Sequence, residues 1–122
     1  MTETGRREQR IMDAPILTYE IPKLIAKIKS EEAWKSTDRN SITLNMGLGL
    51  RMVVIALHSG ALIKPHKADH AISVQALEGE LEFITDMEIV ALKAGQMLSL
   101  HKGILHSVRA RTECAFLITF GA

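Results

Sequence analysis

The chain lacks most of the features that would declare a chemistry. Among its 122 residues there is one cysteine, Cys114, so no internal disulfide can form. It lies in the apolar run Cys114-Ala-Phe-Leu-Ile-Thr-Phe120, which predicts a buried, inert thiol, because thiolate chemistry needs exposure and positive neighbours. Aromatic residues make up only 4%, too few for a platform on which single-stranded nucleic acid could stack. Charge of one sign is missing too: 15 basic residues against 14 acidic ones leave +1, with no long block of either sign and no electrostatic footprint for nucleic acid. The longest purely apolar run, Met52 to Leu57, is far shorter than the roughly 20 residues of a membrane-spanning helix, so no membrane partner is expected. The opening Met-Thr-Glu-Thr-Gly-Arg-Arg-Glu-Gln-Arg mixes both charge signs and leads into no apolar signal core, and a cytoplasmic location is expected. No phosphate-cradling glycine loop occurs, and Gly47-Leu-Gly49 lacks the further glycine and helix of a dinucleotide fingerprint. Ser59 follows His58, but neighbours in a strand point to opposite faces and make a poor nucleophile and base pair.

What is present is an ordinary globular balance, 47% hydrophobic and 24% charged, in a length that suits one domain. Residues 1–14 are polar and read as an arm that orders only against a partner, leaving 15–122 as the domain. Ile21, Leu24, Ile25 and Ile28 follow the spacing of one helical face, with Pro22 suited to a first turn. They predict one short amphipathic helix over about 21–32, its lysine face solvated and Trp34 packing it onto a sheet. From about 41 to 120 the helical period gives way to short strand-like runs at nearly regular spacing. They cover Ser41 to Met46, Leu50 to Leu57, Ala61 to His66, Ala71 to Leu77, Glu80 to Thr85, Glu88 to Lys93, Met97 to His101, Ser107 to Arg109 and Cys114 to Phe120. Turn chemistries such as Ser59-Gly60, Glu78-Gly79, Ala94-Gly95 and Lys102-Gly103 separate them, which predicts an all-β sandwich or barrel.

All five histidines, His58, His66, His70, His101 and His106, fall inside or beside two glycine-punctuated segments, 60–79 and 95–106. These segments resemble the two motifs of the cupin family. Gly60, His66 and Gly79 match the first motif, while Ala68 stands at its second histidine and Ile72 at its glutamate. Gly95, Gly103 and His106 match the second motif, with His101 at its proline and Ala110 at its asparagine. The resemblance spans residues 50 to 120 and implies a double-stranded β-barrel, or jelly roll, and a homodimer.

In cupins two His and a Glu from the first motif and one His from the second converge on one divalent ion. Here two of those four positions are empty of ligands, and two readings stand. In one, His66, His70 and His106 make a three-histidine site for Zn²⁺, Fe²⁺, Ni²⁺ or Mn²⁺, serving a dioxygenase or isomerase. In the other no metal is held, and the barrel binds a small, partly apolar organic ligand in a pocket to which His58, Ile72, Val74, Ala76 and His101 contribute. His66 and His70 are four apart, so a regular strand would place them on one face, whereas a turn near Asp69 would separate them.

Overall fold

The computed structural model describes residues 14–46 and 49–121. The expected N-terminal arm, apart from Ala14, lies outside them. Two helices, α1 (Ile21–Ser30) and α2 (Glu32–Ser36), precede nine strands: β1 (Arg39–Met46), β2 (Leu50–Leu57), β3 (Leu62–His66), β4 (Ile72–Glu78), β5 (Glu80–Ile84), β6 (Ile89–Lys93), β7 (Met97–Leu100), β8 (His106–Ala110) and β9 (Cys114–Phe120). The helical stretch is divided at Glu31, whose backbone is extended (φ −86°, ψ 156°). The Asn40 amide explains how the break is tolerated. It donates to the Ile28 carbonyl, which a continuing helix would have used, and to the Glu31 carboxylate, both at 2.9 Å.

The strands form two antiparallel sheets, one ordered β1-β2-β9-β4-β7 and the other β3-β8-β5-β6. This is the all-β two-sheet architecture that the turn spacing predicts, in the jelly-roll form that the resemblance implies, with a helical segment before it. Alternation decides what each face buries. Leu57, Ile72, Val74, Ala76, Cys114 and Phe116 from the larger sheet meet Leu81, Phe83, Leu92, Val108 and Ala110 from the smaller one in a single core between the layers. The opposite face of the larger sheet carries Val54, Ala56 and Ala115, and these are covered by Ile25, Ile28 and Trp34 of the helices. The helices thus close one outer face, and each fully buried isoleucine or valine in these clusters contributes about 1.5–3 kcal/mol.

The β4–β5 turn depends on glycine. Gly79 has φ +68°, and a Cβ there would collide with the carbonyl oxygen of Glu113. Lys29 ties α1 to the same corner, its ammonium lying 3.0 Å from the Glu78 carboxylate and 2.8 Å from that of Glu113. Cys114 is buried at this end of the core, and burial pushes its thiol pKa up to about 11.

Candidate functional site

A bulge in β3 builds the site. Leu62 pairs with Arg109 and Ile63 with Val108, but the next partners are His66 and His106, so three steps along β3 match two along β8. Without the extra residue, alternation would put Pro65 opposite His106 and turn His66 outward. With it, His66 joins Ile63 on the inner face beside His106. Pro65 suits the position because it has no N–H to donate, and β3 is an edge strand of its sheet.

The rings of His66 and His106 lie 4.3 Å apart, tilted by 59°. Phe83 stacks on the other side of His106, with centroids 4.9 Å apart and planes within 16°. Each histidine also bonds to the backbone two residues before it: Nδ1 of His66 lies 2.9 Å from the Lys64 carbonyl oxygen and Nδ1 of His106 lies 2.8 Å from that of Ile104. A carbonyl can only accept, so both Nδ1 atoms carry a hydrogen, and a ring in its neutral form then has a lone pair at Nε2. His106 is 3% exposed, while His66 stands at the rim. Burial pushes the His106 pKa below its ordinary value; the Ile104 hydrogen bond works against that, and nearby His66 adds to it.

The other candidate ligand does not join them. His70 sits exposed in the bend between β3 and β4, where strand parity no longer applies. Among the described residues no group of three His, Cys, Asp or Glu side chains is placed to hold a metal ion. Of the set His66, His70 and His106, the structure brings His66 and His106 together and leaves His70 apart. The neighbouring motif positions add nothing: Ile72 is 5% exposed within the core, and Ala68 packs against that core. Two imidazoles fall short of the four ligands, or three plus water, that such an ion takes, so these residues do not fit a metal held by protein ligands alone.

The predicted pocket residues divide three ways. Ile72, Val74 and Ala76 do face the barrel interior, but as close-packed core side chains. His58 belongs elsewhere: one residue beyond β2, it keeps the parity of Val54 and Ala56 and lies on the helix side. There its ring stacks on Trp34 at 3.5 Å, and its Nε2–H donates to the Trp34 carbonyl at 2.9 Å. His101, just past the end of β7, lines a cavity.

That cavity, of about 200 Å³, opens between β5, β6 and β7, with Phe83, Val90, Leu98, Leu100 and Ile104 as its apolar wall and Thr85, Glu88 and His101 among its polar groups. A second recess of about 200 Å³ is lined by His106 itself with Pro65, Ile84, Thr85, Asp86, Leu105 and Ser107, and the two share Thr85. The loops that frame them are joined by a hydrogen bond from the Gly103 N–H to the Ala68 carbonyl, 2.9 Å. Phe83 is legible beforehand only as a core residue of the alternating Glu80-Leu-Glu-Phe; its stacking on His106 depends on a strand more than twenty residues away.

No family model and no curated protein matches the sequence. Solved structures do match. A cupin-2 domain protein from Shewanella frigidimarina superposes with a TM-score of 0.69 at 16% identity, over 85% of this chain and 94% of that one. An RmlC-like cupin from the same organism gives 0.63 at 24% identity, over 68% and 75%. A conserved protein of unknown function from Streptococcus pyogenes gives 0.67 at 21%, over 93% and 96%. Likeness at these identities carries the fold and leaves activity to the site. With two facing antiparallel sheets, a histidine pair at one end of the barrel and these structural neighbours, the chain has the fold of the small cupin barrels.

Proposed function

We propose that this cupin binds a small organic molecule at the end of its barrel where His66 and His106 meet, and that it does so without a metal held by protein ligands alone. The carrying observation is the pair itself. Two imidazoles are fixed in one tautomer by backbone bonds, His106 lines a recess, and no third ligating side chain lies beside them among the described residues. A concave, mostly apolar site with a few convergent polar groups is the usual form of a small-molecule pocket. At about 200 Å³ each, the recesses suit a ligand below drug size. A homodimer belongs to the same reading: Ser73, Gln75 and Met97 stand on the outer face of β4 and β7, outside the helix-covered cluster, and offer the surface for it.

Thermal-shift screening tests the proposal, because a ligand that prefers the native state raises the midpoint. Small metabolites are expected to stabilise the wild type and to lose that effect in His66→Ala and His106→Ala. A set of stabilising compounds whose effect survives both substitutions would place binding elsewhere.

A further inference from the structure

Nothing among the described residues accounts for Nε2 of His106. The ring is 3% exposed, its Nδ1–H is donated to the Ile104 carbonyl at 2.8 Å, and no donor among the described residues bonds to the other nitrogen. Buried polar atoms without a partner are rare, and each calls for a cause. Nε2 is on the edge of the ring away from its own backbone bond. His66 repeats the arrangement beside it, with Nδ1 held by the Lys64 carbonyl and Nε2 without a partner among the described residues.

Both nitrogens are hydrogen-bond acceptors, because a neutral imidazole protonated at Nδ1 has only a lone pair at Nε2. That sorts the possible ligands. A carboxylate or phosphate is acceptor-only and would meet two lone pairs with its own. A hydroxyl or an amide N–H meets them with a hydrogen. In the recess that His106 lines, Pro65, Ile84 and Leu105 are apolar and Thr85, Asp86 and Ser107 are polar, and the Asp86 carboxylate adds a charge that an anion would have to meet. The volume of this recess, about 200 Å³, equals that of about seven water molecules, which limits the ligand to a single ring or a short chain.

We infer that the recess lined by His106 takes a small, uncharged molecule bearing a hydroxyl or N–H donor, which Nε2 of His106 accepts while the apolar body lies against Pro65, Ile84 and Leu105. The inference rests on the reading of this end of the barrel as a ligand site, and it adds the polarity of the ligand.

Three probes of one size test it: phenol, which donates; anisole, which has a similar body and no donor; and benzoate, which only accepts. Titration of the full chain, followed by amide NMR shifts, is expected to rank phenol first, with anisole roughly tenfold weaker and benzoate no tighter than anisole. In His106→Ala phenol is expected to fall to the affinity of anisole. Should that variant fail to fold, the ¹⁵N resonance of His106 Nε2 in the wild type gives the same answer, moving on addition of phenol and staying in place with anisole. Anisole or benzoate binding as tightly as phenol overturns the inference while leaving the ligand site intact. Binding of none of the three overturns both.

Discussion

His66 and His106 face each other across the bulge of β3, ring centroids 4.3 Å apart, and the register shift between Ile63 and His66 is what brings them together. The buried member dictates a pH dependence. In the folded protein the His106 pKa is depressed by burial, so the unfolded chain takes up its proton first as pH falls. Its contribution to stability is complete above the ordinary value of 6.5 and is lost between that pH and the lower folded-state value. Urea unfolding from pH 8 to pH 5 should show the wild type losing stability relative to His106→Gln below about 6.5. Parallel curves for the two proteins would remove His106 as the source.

Trp34 and His58 hold the helices to the larger sheet. Trp34→Ala should cost about 3–5 kcal/mol, as expected for emptying a buried aromatic site. His58→Ala, which loses the stack and one hydrogen bond, should cost about 1–2 kcal/mol. Neither change touches the barrel interior, so histidine resonances from His66 and His106 should keep their wild-type positions in both variants.

Glycines 79 and 60 both have positive φ, but they differ in their surroundings. Alanine at Gly60 meets open space and bears only the backbone strain, about 1–2 kcal/mol. Alanine at Gly79 also collides with the Glu113 carbonyl and the Thr112 hydroxyl, so Gly79→Ala should be clearly the more destabilising of the two in thermal unfolding. Equal losses would mean that the β4–β5 turn relaxes away from Glu113.

Cys114 is fully buried with its thiol pushed up to about 11. A disulfide reagent such as Ellman's should leave the native protein unmodified at pH 8 and titrate one thiol per chain once urea is added. Rapid native-state labelling would contradict the burial.

The parts of the fold visible in the sequence are those set by short-range rules. Positive-φ glycines at 60, 79, 95 and 103 and period-two runs define the strands, and His66 and His106 are found because they stand at fixed distances from those glycines. The parts that were not visible depend on pairing. A bulge at Lys64-Pro65 is specified by the register against β8, and it places His66 inward where plain alternation from Ile63 would not. His70 shares the right spacing with His66, yet the chain leaves the strand at Lys67 and the spacing loses its meaning. His58 has the parity of the outer face, but only the fold shows Trp34 waiting there. The break at Glu31 likewise needs Asn40, which is remote from it along the chain.

Metal content of untagged protein bears most directly on the histidine pair. Measured by elemental analysis after purification and again after incubation with Zn²⁺, Fe²⁺, Ni²⁺ and Mn²⁺ followed by desalting, the wild type should retain well under one ion per chain and match His66→Ala and His106→Ala. One tightly held ion per chain, present in the wild type and lost in both variants, would contradict a ligand site built on two free imidazoles.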